Sequence, residues 1–482
     1  MSLSQEGGVE TLEVHPGELV DAFERALDNR SRGLASRLRL HPGVYREAIS
    51  VPTERSVTGT EAITLEAVVP GQAIISGADV FTNWQCEGGL CTHAWPYDWG
   101  ASPNPYDAID VPELARRREL VVVNGDNLPQ VLSHGALKPG SFFVDEANDK
   151  LYLYPPQGVN LAAATVEVGV RDVLYKANSV SHVTLRGLHF RHAASAFERS
   201  AVEIGASHML LDRVMIAWNG QVGLTLRGKA ITVLASVMNH NGNSGLTAYK
   251  GRNLLLEDTE ASHNNWRGHS VGYVSWDVGN KFARVHDVAI YRHKAVGNFS
   301  RGLWFDWDIE DVWVEELYAC DNLVDGLHFE AAQGPITIKN STFCNNGEYG
   351  VLANGAFNVT LENNRLEYNA LDQLHLARGR RSLENWETGE TYDLLGLAHW
   401  TVTGNTFSAQ GAVESQADPI LFNIRLYEEE WRHFLKTSTL NRNTYQQPDA
   451  DAMFRFGGEE PLSFAEWQKA TGSEGESKFN GD

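Results

Sequence analysis

Seven asparagines recur through the middle of the chain, and each stands four residues before a turn-and-strand signal of one form. They are Asn219, Asn241, Asn264, Asn298, Asn322, Asn346 and Asn369. The signal is clearest at Gly223, Gly245, Gly302, Gly326 and Gly350, each followed by an apolar-x-apolar triplet, and Gly268 and Gln373 hold the same place in weaker copies. Successive spacings are 22, 23, 34, 24, 24 and 23 residues. A fixed period of this size means stacked supersecondary units. Asparagine tolerates left-handed backbone, and its amide can bond to the copy above and below, so a column of asparagines at a repeated turn is mechanically sensible.

Each interval has room for about three short strands, for example VWVEEL, DNLVD and LHFEA, while the LxxLxLxxN pattern of leucine-rich repeats is absent. The period therefore predicts an all-β chain, a right-handed parallel β-helix of the pectate-lyase-like solenoid type. Forty-four glycines and few runs of helix formers agree with this. Four segments are expected. Residues 1–80 hold an N-terminal capping helix and the first coils, with Leu19, Val20, Phe23 and Leu27 on one helical face of GELVDAFERALDNR. Residues 81–170 form a small inserted β subdomain with a hairpin signal at Asn148-Asp149. Residues 171–410 form the main coils and 411–482 a closing segment with short helices in EEEWRHFLKTSTL and SFAEWQKATG.

The long interval carries about eleven extra residues, placed by this reading within VGYVSWDVGNKFARVHD, so that Gly272 holds the place later taken by Asp306 and Glu330. Those two acids close the blocks Gly302-Leu-Trp-Phe-Asp306 and Gly326-Leu-His-Phe-Glu330, 24 residues apart. Side chains alternate across a strand, which puts Leu303, Phe305, Leu327 and Phe329 inside and Trp304, Asp306, His328 and Glu330 outside. Parallel neighbours lie about 4.7–4.9 Å apart. Two like charges stacked in this way repel and need compensation by a proton, a cation or a function.

Retaining glycosidases place two carboxyl groups about 5–5.5 Å apart, and inverting ones about 6.5–9.5 Å, so the stacked pair suits retention. The column continues to Asn354, and Trp304, Trp307, His328, Arg301, Trp276, Asp277 and His269 are candidate neighbours. Ring faces bind the C–H face of a sugar, and carboxylates and imidazoles bind its hydroxyls. His263, His269 and His293 show no metal-ligand spacing, and no metal or cofactor is required. A polysaccharide lyase is the alternative, with Asp306, Asp308, Asp311 and Asp325 on Ca²⁺ and Arg301 as base. A non-catalytic glycan-binding solenoid is the third reading.

A formal charge of −22 without a dense basic block argues against nucleic acid and anionic membranes as partners, and no apolar run is long enough to span a bilayer. MSLSQEGGVE has no signal-peptide pattern, so the expected compartment is the cytoplasm, or the exterior if a signal has been removed; the oligomeric state is left open. Cys86 and Cys91 are close enough for a loop disulfide, whereas Cys320 and Cys344 are expected as buried thiols on neighbouring coils.

GLWFDWD followed by GLHFEAAQGP, with SWDVGNK upstream, resembles the right-handed β-helix glycosidases, most closely the β-xylosidases of glycoside hydrolase family 120 and more loosely family 141. PGVYREAI, GSFFVDEANDKLYLYPP and FAEWQKATG resemble members of the same group. The resemblance implies that Asp306 is the catalytic nucleophile, Glu330 the general acid/base and Asp277 a further active-site acid. The flanks FDWDIED and HFEAAQGP depart from the family 120 pattern, so the resemblance does not carry xylose over as the sugar.

Overall fold

The computed structural model describes residues 2–6, 8–55, 57–107, 109–267, 279–395, 397–409, 420–446, 453–457 and 460–480. It divides into two compact units, one of Met1–Thr225, Val237–Gly245 and Asn265–Trp276, the other of Leu226–Ser236, Leu246–Asn264 and Asp277–Asp482. Both are built from coils of a parallel β-helix.

In the first unit, strands Val9–Val14, Ala35–Leu40, Ile63–Ala67, Val183–Arg186 and Met209–Asp212 stack in parallel. The step from Ile63–Ala67 directly to Val183–Arg186 shows where the coil is interrupted. Of the intervening chain, Ala73–Ser76 and Tyr175–Lys176 still pair in parallel with coil strands, and what lies between them folds on itself as antiparallel sheets, one of Gln85–Glu87, Leu90–Ala94, Lys150–Tyr154 and Ser141–Asp145. Trp95, Phe142, Leu151 and Leu153 give it an apolar cluster of its own. The helix Leu19–Ser31 buries Leu19, Phe23 and Leu27. Val20 is a correction: it lies 41% exposed, because the buried stripe turns away from it.

Among its described residues the second unit carries three parallel ladders. The first runs through Leu246–Tyr249, the starts of Asn280–Tyr291 and Leu303–Glu315, then Leu327–Ala332, Val351–Ala356, Asp372–Ala377 and Ile420–Arg425. The second takes Arg252–Glu257, the ends of the same two long strands, Ile336–Lys339, Val359–Glu362 and Thr401–Thr403. The third holds Lys294–Val296, Tyr318–Cys320, Thr342–Cys344, Arg365–Glu367 and Thr406–Ser408. The middle strand of the coil is thus Tyr318–Cys320, and DNLVD is the turn after it. Helices Glu428–Thr437 and Phe464–Thr471 follow near the C-terminus.

Phe282, Phe305 and Phe329 are fully buried and lie in file, with ring centroids 5.5 and 5.9 Å apart. Each such ring contributes about 1.5–3 kcal/mol of burial. Beside them runs the asparagine ladder: the Asn298 side-chain amide donates to Asn322 Oδ1 at 3.0 Å, Asn322 to Asn346 at 3.0 Å and Asn346 to Asn369 at 2.8 Å. A second ladder, Asn364 to Asn405 to Asn443, stands at another corner.

The cysteines correct one expectation. Cys320 and Cys344 are bonded to each other as a disulfide between neighbouring coils, and Cys86 is bonded to Cys91. Register places both partners of the first pair directly opposite, within bonding reach of one another.

Candidate active site

Asp306 and Glu330 are register partners on adjacent strands of the first ladder, as are Trp304 and His328, and Glu330 and Asn354. Each acid is the last residue before a corner: Trp307 and Asp308 follow one with φ of 58° and 59°, and Ala331 follows the other with φ of 51°. The pairing to the preceding strand shifts by one residue just beyond Asp306, where Trp307 and Asp308 face a single residue, Arg284. Such a bulge re-aims neighbouring side chains and is common beside active sites.

The coil before Asp306 corrects the phase read from the repeat. Asn280 pairs with Leu303 and Ala283 with Asp306, so Gly279 stands where Gly302 and Gly326 stand, and Ala283 takes the column place assigned to Gly272. Asn264 keeps its place, with its amide bonded to Asn298 Oδ1 at 3.2 Å. The eleven extra residues therefore lie between Asn264 and Gly279. Trp276, Asp277 and His269 fall there, outside the described residues.

The corrected register brings in a residue that the repeat reading missed. Lys281 shares the column of Trp304 and His328. Its side chain is fully buried, its Nζ is 2.8 Å from Asp306 Oδ2, and it lies 3.5 Å from the centroid of the Trp304 ring. Burial pushes the ammonium below its usual range, while Asp306 and Glu330 oppose the shift. The signal was present in the sequence: Gly-Asn-Lys-Phe-Ala, Gly-Leu-Trp-Phe-Asp and Gly-Leu-His-Phe-Glu share glycine and phenylalanine at the same spacing.

Trp304 and His328 point away from the core, as alternation requires, but they are not open platforms. Only 4% and 2% of their surfaces are exposed, and their rings stack at 4.9 Å. Alternation fixes the side of a strand that a residue faces, not what covers that side. Burial, with Arg301 and Lys281 nearby, pushes the His328 imidazole well below its usual range, so it is neutral, with one donor and one acceptor nitrogen. Neither nitrogen has a hydrogen-bond partner among the described residues, and nor has the Trp304 indole N–H. Arg301 is buried, with its guanidinium 5.1 Å from the Trp304 ring and 2.7 Å from Asp325 Oδ2. Burial raises Asp325 to about 6.

Trp307 packs in a separate apolar cluster with Ala331, Phe357 and Leu383. Leu383 belongs to an antiparallel hairpin, Arg380–Glu384 with Thr391–Leu395. The turn of this hairpin is tied to the corner beyond Asp306. The Trp386 N–H donates to Asp308 Oδ2 at 2.7 Å, and His286 reaches Asp308 at 3.3 Å through Nε2 and Glu387 at 3.2 Å through Nδ1. Carboxylates face both ring nitrogens, which requires an imidazolium. Burial alone would lower the His286 pKa, but Asp308 leads the groups that raise it.

His286, Asp308 and Glu310 offer donor atoms within 4.8 Å of one another, the geometry of a metal set. Those atoms are already engaged, since the Gln333 amide donates to both Asp308 and Glu310 and Asn385 donates to Glu310. The cluster is a hydrogen-bond clamp on the hairpin. The four acids considered for Ca²⁺ are not brought together: Asp306 is on Lys281, Asp308 on His286, Asp325 on Arg301, and Asp311 is exposed at a left-handed position. Of the other histidines, His293 is buried and bonded to Thr259.

Residues 174–366 match the family model of a right-handed β-helix region. Among curated proteins, no sequence matches this chain significantly. Among solved structures, the XylC–xylose complex is similar at a TM-score of 0.67 and 14% identity, over 98% of this chain and 86% of that one. A protein described as a glycoside hydrolase gives 0.57 and 13%, over 84% and 97%. The A-module of the Azotobacter vinelandii mannuronan C-5 epimerase AlgE6 gives 0.52 and 15%, over 95% and 92%. These likenesses establish the fold, a right-handed parallel β-helix.

Proposed function

We propose that the protein is a retaining glycoside hydrolase, with Asp306 as nucleophile and Glu330 as general acid/base. The observation that carries the reading is the register of the two acids on adjacent parallel strands. One strand spacing suits the carboxyl separation of about 5–5.5 Å used for retention and is too short to admit the water that inversion places between its two groups.

In the first step an Asp306 oxygen bonds to the anomeric carbon as the bond to the leaving oxygen breaks, and that oxygen takes the proton of Glu330. In the second, Glu330 removes a proton from water, the water oxygen bonds to the anomeric carbon, and Asp306 leaves as carboxylate. Both carboxyl groups return to their starting states.

The surroundings support a sugar. Asp306 and Glu330 are part-exposed at their corners, within reach of sugar hydroxyls, while the nitrogens of Trp304 and His328 are sealed beneath the surface beside them. Asn354, one strand further on, extends the same row. Lys281 and Arg301 each face a carboxylate of this protein, so the site favours a neutral glycan. XylC was solved with xylose and the epimerase is named for mannuronan, so carbohydrate is the substrate class common to both names.

The test is a panel of aryl glycosides and neutral polysaccharides with Asp306→Asn as control. Hydrolysis by the wild type and its loss in a folded variant is the expected result. Undiminished hydrolysis by Asp306→Asn overturns the assignment.

A further inference from the structure

We propose that Lys281 is a positioning residue of this active site: its ammonium, clamped between the Trp304 ring and Asp306, holds the nucleophile carboxylate in place and aimed. The inference rests on the hydrolase reading above and deepens it.

Three observations converge. The Lys281 side chain is fully buried and that of Asp306 largely so, and Nζ stands 2.8 Å from Asp306 Oδ2, so water screens the pair only weakly. The ring of Trp304 lies 3.5 Å from the same nitrogen, which fixes the ammonium from the other side by cation–π attraction. Strand register puts Lys281 opposite Trp304, and one strand on Trp304 is opposite His328, so the clamp is built into the column that lies beside the acids.

Stacked carboxylates on neighbouring parallel strands repel, and a lone buried ammonium is expensive to hold. Each problem answers the other. A lysine kept only for the fold would be replaceable by an apolar side chain of similar volume, because buried ion pairs are often no more stabilising than good packing. A lysine kept for chemistry has a further task. When water cleaves the glycosyl bond to Asp306, a full negative charge returns to that carboxylate beside an ammonium already in place. The attacking and leaving forms of Asp306 are both served by a fixed cation, with no reorganisation at the moment of reaction.

The experiment compares wild type, Lys281→Met, Lys281→Gln, Lys281→Arg and Asp306→Asn on the best aryl glycoside from the panel, with a thermal melt for each. In Lys281→Met and Lys281→Gln, kcat/KM is expected to fall at least about tenfold. The KM-against-kcat split should fall mainly on kcat, and Lys281→Arg, which restores a cation beside Asp306, should recover part of the rate. If Lys281→Met does not fold, Lys281→Gln, which keeps a polar head within reach of Asp306, supplies the same readout. Wild-type kcat in Lys281→Gln, with Asp306→Asn inactive, overturns the role of Lys281 alone. Activity in Asp306→Asn overturns the hydrolase reading itself.

Discussion

Replacing Asn322 by alanine removes one rung of the asparagine ladder, and the structure allows the loss to be counted. The Asn322 amide donates to the Ala295 carbonyl at 2.9 Å and to Asn346 Oδ1 at 3.0 Å, and its Oδ1 accepts the Asn298 backbone N–H at 3.1 Å and side-chain amide at 3.0 Å. After truncation Asn346 Oδ1 keeps the Asn322 backbone N–H, and the Asn298 amide keeps the Ala261 carbonyl. The Ala295 carbonyl and the Asn298 backbone N–H lose these partners. The stranded Asn298 N–H costs about 1–3 kcal/mol, whereas the Ala295 carbonyl stands in a ladder strand and loses only its side-chain partner. Asn148→Ala is the control, because the amide of Asn148 bonds at an exposed site to Asp145 and such surface changes stay within about 0.5 kcal/mol. Equilibrium guanidinium unfolding of both variants decides the point. A midpoint for Asn322→Ala equal to that of Asn148→Ala would refute the claim that the ladder is a buried, fully paired structural element.

The His286 clamp predicts a pH dependence of stability. Its folded-state pKa is raised, so its contribution is complete below the unfolded value of about 6.5 and is lost as pH rises through the folded value. The groups facing it are Asp308, Glu310 and Glu387, the last also bound by Lys229 and Arg252. The stability advantage of wild type over His286→Gln should be largest near pH 5–6 and shrink toward alkaline pH; an advantage that grows with pH would contradict the imidazolium. The Cys320–Cys344 bond closes a 24-residue separation, and paired replacement by serine should lower unfolding free energy by about 3 kcal/mol, against an unchanged value if the bond carries no constraint.

Much of this was legible in the sequence, and the failures have identifiable causes. The period and the alternation of inward and outward residues placed Leu303, Phe305, Leu327 and Phe329 in the core and paired Asp306 with Glu330, because a strand has only two faces and a coil a nearly constant length. Lys281 was hidden by the eleven-residue enlargement, which let Gly268 take the place of Gly279 in the count. The second asparagine ladder escaped because its steps of 41 and 38 residues break the period. The clamp on the hairpin joins His286 to Glu387 across 101 residues, and no local pattern announces such a contact. The burial of Trp304 and His328 depends on what lies over the strand, which a repeat does not encode.

The central claim is that two register-paired carboxyl groups act in a double displacement. Proton nuclear magnetic resonance of the anomer first released from a hydrolysed glycoside tests it most directly. The account predicts a product with the anomeric configuration of the substrate, formed by wild type and not by Asp306→Asn; an inverted product, or the same product from Asp306→Asn, would contradict it.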